Sequence, residues 1–281
     1  RAINCAFENL AQHEEGLRDG VVFPVGSVEF VRRAMELAGI AEPPNLSYPG
    51  GCERFLGRRL WQGRAADVAT RQFVKPIATK AFTGFVFDPL VPDEQRCEHD
   101  REQLAAFRQL PADAMVWCSE VVRFVSEWRY YVLDGEIVGQ ARYDEFEDED
   151  APSPKTSVVN DCLRALGLDH SHALDFGVTH DGRTLLVEAN DAWAIGLYQR
   201  AIPNDLYLRF LKTRWDDLLR QREMADTKAD PITAYYRDRA RARMRLWPDE
   251  QTPEQYPAER AGSTDPPRRR HLARPLDRHC P

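Results

Sequence analysis

Helices interleaved with antiparallel hairpins predict an α+β protein rather than a doubly wound parallel sheet. Two observations carry that expectation. The dipeptides Asp134-Gly135 and Asp181-Gly182 each join two strand-like apolar runs, and Asp-Gly is a strong hairpin signal because a type I′ turn needs positive φ at both central positions. Between and around them lie helical stripes: Val28, Val31, Ala34, Met35 and Ala38, closed by Gly39, and Val158, Val159, Cys162, Leu163 and Leu166, closed by Gly167. With 281 residues, 43% of them hydrophobic, the chain can bury a substantial core.

Three zones follow along the chain. In the first, residues 1–70, Gly20–Val25 reads as a short buried strand. Ser27 then reads as the N-cap of the first helix, and Glu42–Gly51 as a loop rich in Pro and Gly. The second zone, 71–221, holds strands at Gln72–Lys75, Phe82–Phe87 and Val116–Phe124. A hairpin follows, Glu127–Leu133 with Glu136–Tyr143, then a helix from Ser153-Pro154. A second hairpin pairs His172–Thr179 with Arg183–Asn190, and Leu208, Leu211, Trp215, Leu218 and Leu219 mark a last amphipathic helix. The third zone, 222–281, is rich in Pro, Arg, Asp and Glu and reads as one helix followed by a disordered tail. Its basic cluster Pro266–Arg270 and the acidic run Asp144–Asp150 read as solvated.

Composition removes several function classes. A net charge of −7 leaves no nucleic-acid footprint. No apolar stretch approaches the roughly 20 residues of a membrane helix, and no signal peptide is visible. Six cysteines without a C-x-x-C pair fit reduced thiols, so the expected location is cytoplasmic. Neither G-x-x-x-x-G-K-[ST] nor G-x-G-x-x-G occurs, nor do H-E-x-x-H and G-x-S-x-G.

The hairpins place the chemistry. If Asp181-Gly182 is a two-residue turn, Asp175 falls opposite Glu188, and Asn190 shares that face. Two opposed acids on an otherwise apolar sheet call for a counter-charge, which a divalent cation would supply; an all-oxygen set suits Mg2+ or Mn2+. The alternative is a pair of acids facing solvent. If Asp134-Gly135 is likewise a two-residue turn, Glu127 faces Arg142 and Arg129 faces Gln140, all on one face. Such a row reads as a phosphate or carboxylate clamp, or else as a surface Glu127–Arg142 salt bridge. Lys75 and Lys80 precede Gly84; as point charges they suit phosphate oxygens, or they are simply solvated.

The order of these pieces resembles the ATP-grasp superfamily, and within it the bacterial and phage clade named for two arginines and a lysine. The resembling segments are Phe73-Val74-Lys75-Pro76 with Lys80–Gly84, Ser119–Phe124, Glu127–Gly135, Ala173–Val178 and Leu186–Trp193. The resemblance implies an ATP-grasp fold of two α+β subdomains gripping ATP, preceded by a short pre-ATP-grasp α/β region. In it Ile3–Leu10 would form the first strand, and a helix and a strand would be missing. Lys75 and Lys80 would hold ATP phosphates, and Glu120, Val121 and Val122 would form the linker that reads adenine. Glu127 would lie near the ribose. Arg129 and Arg142 would face the γ-phosphate and a substrate carboxylate, and Asp175, Glu188 and Asn190 would hold Mg2+. The implied activity is an ATP-dependent carboxylate–amine or carboxylate–thiol ligase acting on small molecules or peptides through an acyl phosphate. A catalytically weak nucleotide-binding module, a kinase on the same fold and a two-metal phosphoesterase remain as alternatives.

Overall fold

Two four-stranded sheets, antiparallel throughout, organise the computed structural model, which describes residues 2–77, 82–144 and 150–229. Lys80, residues 145–149 of the acidic run and the tail from residue 230 lie outside the described residues. Residues up to Leu219 form one compact unit, and a second unit starts at Arg220. No helix among the described residues is long and apolar enough to cross a membrane.

The chain opens with a 3-10 turn, Phe7–His13, a short helix α1 (Glu14–Arg18) and a longer one, α2 (Val28–Ala38). Ser27 caps α2 by accepting from the Phe30 amide at 3.3 Å, and Gly39 closes it in the left-handed region at φ 69. All five stripe residues are buried and pack with Leu10, Leu17, Trp215 and Leu218. Two strand expectations fail here. Gly20–Val25 is turn and loop, with Val21 80% exposed, and Ile3–Leu10 is coil running into the 3-10 turn. A short apolar run does not reveal whether a neighbouring strand exists to pair with it.

The first sheet follows α3 (Glu53–Leu56). It comprises β1 (Leu60–Arg64), β2 (Gln72–Pro76) and β3 (Phe85–Phe87), then, after α4 (Glu98–Arg108), β4 (Met115–Ser119), in the order β1-β4-β2-β3. Val74, Phe85, Val116 and Cys118 pack against Leu104 and Phe107 of α4. Neither β1 nor α4 is foreseen: β1 has no turn dipeptide beside it, and α4 buries only Leu104 and Phe107. The strand expected at Val116–Phe124 stops at Ser119, and the one expected at Phe82–Phe87 starts at Phe85. Cys5, Cys52, Cys118 and Cys162 are free thiols as expected.

The second sheet contains β5 (Phe124–Leu133), β6 (Glu136–Arg142) and, after α5 (Thr156–Leu166), β7 (His172–Thr179) and β8 (Thr184–Asp191), in the order β6-β5-β7-β8. The helix α6 (Asn204–Ala229) comes last. Leu174, Phe176 and Leu186 cover one face with Val159 and Cys162 of α5. On the opposite face Tyr131, Leu133 and Ala173 pack with Phe210 and Leu211 of α6.

Both hairpins depart from the simple register, in opposite ways. Asp134 and Gly135 have φ 53 and 78, so the type I′ turn forms, and Leu133 pairs with Glu136. A bulge between Tyr131 and Val132 then shifts the ladder, so that Tyr131 pairs with Gly139, Arg129 with Ala141 and Trp128 with Arg142. A one-residue slip moves side chains to the other face. Arg142 therefore leaves the face of Glu127 and Arg129, which corrects the expected Glu127–Arg142 pairing. In the other hairpin only Gly182, at φ 75, is left-handed; the Thr179 amide donates to the Arg183 carbonyl at 2.9 Å, and His180-Asp181-Gly182 forms a three-residue loop. That loop would displace the register by one. A bulge between Asp175 and Phe176, with Val187 unpaired, restores it, and Asp175 pairs with Glu188 as expected.

Gly139 lies where the shifted ladder meets the chain entering α6. A Cβ there would stand 2.4 Å from the Ala201 carbonyl oxygen and 2.2 Å from Ile202 Cγ2. Gly139→Ala should lower the unfolding free energy by about 1–3 kcal/mol, read as a lower urea midpoint at unchanged m-value; a parental midpoint would show that this crossing is loosely packed.

Candidate functional site

A row of alternating charges crosses from one sheet to the other. Asp175 and Glu188, on neighbouring strands β7 and β8, are 1% and 5% exposed. Arg129, opposite Asp175 on β5, grips its carboxylate with a two-point fork: Nε donates to Oδ1 at 2.8 Å and Nη2 to Oδ2 at 2.6 Å. Burial opposes the guanidinium charge, but the Asp175 carboxylate outweighs it and holds the Arg129 pKa well above its usual value. Lys75, reaching over from β2 of the first sheet, forms an ion pair with Glu188 Oε2. Asn190 Nδ2 ties the two acids together, 3.0 Å from Asp175 Oδ2 and 3.2 Å from Glu188 Oε1.

The counter-charge that the opposed acids require is thus present in the chain itself, as Arg129 and Lys75. Among the described residues no group of three or more His, Cys, Asp or Glu is arranged to hold a metal ion. The expected set is smaller, two carboxylates and one amide. It fits a hard cation when Asn190 presents Oδ1, because amide orientation follows from the hydrogen-bond network and reverses by a 180° turn.

Around Arg129 the structure adds two tyrosines. The guanidinium carbon lies 5.6 Å from the ring centre of Tyr143 and 4.9 Å from that of Tyr198, and the two rings stack at 5.3 Å. The Tyr143 hydroxyl donates to Glu127 Oε2 at 2.6 Å, and its amide donates to the Glu127 carbonyl at 3.0 Å. Tyr143 thus occupies the place the unshifted register assigned to Arg142. The Arg142 Nε donates to Asp144 Oδ1 at 2.9 Å, and Asp144 Oδ2 accepts from the Glu127 amide at 2.7 Å. Asp144, read as part of a solvated run, has a side chain only 3% exposed.

A cavity of about 550 Å³ opens beside this row. Its wall includes the expected Glu120, Val121, Val122, Glu127 and Glu188, together with Tyr48, Arg58, Phe73, Phe85 and Val187. Lys75, Arg129, Asp175 and Asn190 do not line it; Glu188 belongs to both the cavity and the charged row. Glu120 is anchored, its carboxylate accepting from the Arg59 amide at 2.9 Å. Tyr48, Arg58, Tyr143 and Tyr198 were missed in the sequence. A bulge would have had to be foreseen to find Tyr143, and the other three lie in irregular segments without periodicity.

The sequence model of a family described as an ATP-grasp domain, family 2 of the clade named for two arginines and a lysine, matches residues 55–208, more than half of the 281 residues. Among solved structures, the chain is similar to the ATP-grasp ligase PsnB complexed with a phosphomimetic variant of minimal precursor, Mg and ADP. The identity is 16% over 56% of this chain and 53% of that one, with a TM-score of 0.35. It is also similar to D-alanine–D-alanine ligase from Bacillus anthracis complexed with ATP, at 14% identity over 79% of each chain and a TM-score of 0.36. An L-amino acid ligase from Bacillus licheniformis shares 13% identity over 66% of this chain and 53% of that one, with a TM-score of 0.36. The chain spans about half the length of the PsnB chains it matches. No curated protein matches it.

The Lys75–Glu188 pair is nearly dry, with side chains 13% and 7% exposed. Removing one partner of such a pair strands a buried charge, at about 3–5 kcal/mol. Lys75→Met should therefore destabilise by that order, and adding Glu188→Gln should restore most of the loss. Equal losses in the single and double variants, followed by urea unfolding, would mean that Glu188 finds its compensation elsewhere.

Proposed function

Because this chain belongs to family 2 of that clade of ATP-grasp domains, we propose that it is an ATP-dependent ligase joining a carboxylate to an amine or thiol. The observation that carries this reading is the shared position of Glu188, at once a wall of the 550 Å³ cavity and a member of the row Lys75–Glu188–Asn190–Asp175–Arg129. That volume lies in the range of small-ligand sites, roughly 300–1,000 Å³. Phe73, Phe85 and Val187 give it apolar walls for a base, and the backbone of Glu120, Val121 and Val122 offers polar groups at the base edge. Glu127, in the same wall, is the acid assigned to the ribose in this reading. Lys75 exchanges Glu188 for phosphate oxygens, and Lys80 serves the same phosphates. Asp175, Glu188 and Asn190 are the residues that would hold Mg2+, which neutralises phosphate charge when bound.

In this reading the substrate carboxylate attacks the γ-phosphorus and ADP leaves. The amine or thiol then attacks the acyl carbon, and phosphate leaves. Arg129 faces the oxygens on which charge grows. Arg142, carried off that face and bound to Asp144, is withdrawn from the transfer step and assigned to holding the Glu127 strand end. The substrates expected are small-molecule or peptide carboxylates and amines. The division into residues 1–70, 71–221 and 222–281 belongs to the same proposal, with β1 joined to the middle region.

Measuring ADP release across carboxylic acids, amino acids and peptides, each with and without added amines, tests the reading. Once a substrate is found, Arg129→Lys should lower turnover by about one to two orders of magnitude, since a point charge cannot replace the fork, with ATP affinity little changed. Arg142→Ala should stay within a few-fold of the parent. Lys75→Ala should weaken ATP far more than adenosine. Bound Mg-ATP with no ADP release across the whole panel would reject the ligase in favour of a nucleotide-binding module.

A further inference from the structure

The bulge at Val187 decides which face of β8 carries Glu188. Without it, the three-residue loop at His180–Gly182 would set Val187 opposite Asp175 and send Glu188 to the face packed against α5. A bulge leaves backbone groups without ladder partners, and buried or half-buried carbonyls need donors. One side chain supplies them here. Arg58 Nη1 donates to the Leu186 carbonyl at 2.8 Å and Nη2 to the Val187 carbonyl at 2.9 Å, while Nη1 also reaches the Leu56 carbonyl at 3.0 Å.

The approach that makes this possible is local. The short helix α3 ends at Gly57, whose φ is 57, and a Cβ at Gly57 would stand 2.4 Å from Leu185 Cδ2. The glycine therefore lets the chain press against β8 one residue before Arg58. Further along the same edge, the Ala189 amide donates to the Ser47 carbonyl at 2.8 Å. The Ser47–Arg58 stretch thus fastens the free edge of the second sheet at Leu185, Leu186, Val187 and Ala189 in turn. Among the described residues Arg58 is paired with no carboxylate; its partners are carbonyls and the Tyr48 ring, 5.8 Å away.

We infer that Arg58 is a positioning residue that clamps the Val187 bulge and so keeps Glu188 turned towards Lys75 and the metal of the proposed site. The inference rests on the proposed nucleotide site for its metal readout, but the ligand-free Lys75–Glu188 pair gives it a second, independent one. Lysine at position 58 keeps the charge and loses the planar spread that reaches two carbonyls, which makes Arg58→Lys milder than Arg58→Ala for the fold.

The experiment uses the full chain and two measurements. Calorimetric titration of Mg2+ at fixed AMPPNP should give a half-saturating Mg2+ concentration about tenfold higher in Arg58→Lys than in the parent. In a Glu188→Gln background, Arg58→Lys should add less than a twofold change. Parental half-saturation in Arg58→Lys overturns the inference. So does an equal shift in the Glu188→Gln background, because Arg58 would then act on phosphate directly. The second measurement needs no ligand: the urea midpoints of Arg58→Lys, Lys75→Met and the double variant should be non-additive, since both act on Glu188. Additive midpoint shifts overturn the inference as well. A parent that binds AMPPNP without any Mg2+ dependence would instead overturn the proposed site, and the urea cycle would then decide on Arg58 alone.

Discussion

Everything in the site depends on one rung of sheet, where Asp175 and Glu188 stand opposite each other almost out of water. Like charges so placed repel, and each loses its hydration. The fold answers with one cation for each acid, drawn from different places. Arg129 comes from the adjacent strand of the same sheet, so its fork is set by ordinary cross-strand geometry. Lys75 comes from β2 of the other sheet, so its pair with Glu188 fastens the two sheets beside the cavity. A requirement of electrostatics on one rung thereby becomes a constraint on how the two halves of the cleft face each other.

That rung was legible in the sequence, although the reasoning that reached it was incomplete. The dipeptide Asp181-Gly182 suggested a two-residue turn; the loop has three residues, and the Val187 bulge returns the lost step before Asp175 is reached. Two departures cancel. In the neighbouring hairpin the turn at Asp134-Gly135 forms as expected, but its bulge has nothing to cancel against, and Arg142 moves off the site face while Tyr143 takes its place. Turn chemistry is local and can be read from two residues. A bulge depends on what packs against the strand, as Arg58 and Gly57 do against β8, and no window of sequence contains both partners.

The same distinction runs through the rest of the chain. Helix α2, with its Ser27 cap, its stripe and its closing Gly39, was legible because cap, periodicity and stop all lie within a few turns. The strand β1 was not, since its only claim to be a strand is its pairing with β4, and β2, β3 and α4 lie between them in the chain. One member of the acidic run was misread for a related reason: Asp144 looks solvated by composition, yet it is held by Arg142 and the Glu127 amide. Charge-rich segments are usually exposed, but one member beside a strand end can be drawn in by a partner two residues away.

The two counter-ions are not equally free to move, and this sets the order in which the row can open to a ligand. Arg129 holds Asp175 through two short bonds, lies against the Tyr143 and Tyr198 rings and touches a carboxylate that is 1% exposed. Displacing it would break a fork and strand a buried acid. Lys75 donates to one carboxylate oxygen and lies 5.4 Å from the centre of the Tyr48 ring, on a flexible stem beside a cavity that Glu188 and Tyr48 both line. An ammonium with three rotatable donors can turn from that oxygen towards a phosphate at far lower cost. In the proposed reaction, therefore, Lys75 is the ion that exchanges partners and Arg129 the one that stays. Because Nε and Nη2 of Arg129 are already committed to Asp175, its remaining amino group, Nη1, is the donor left to meet a transferring phosphoryl oxygen. In that proposal Asp175 has a role besides the metal assigned to it, since its carboxylate fixes the plane in which Nη1 points.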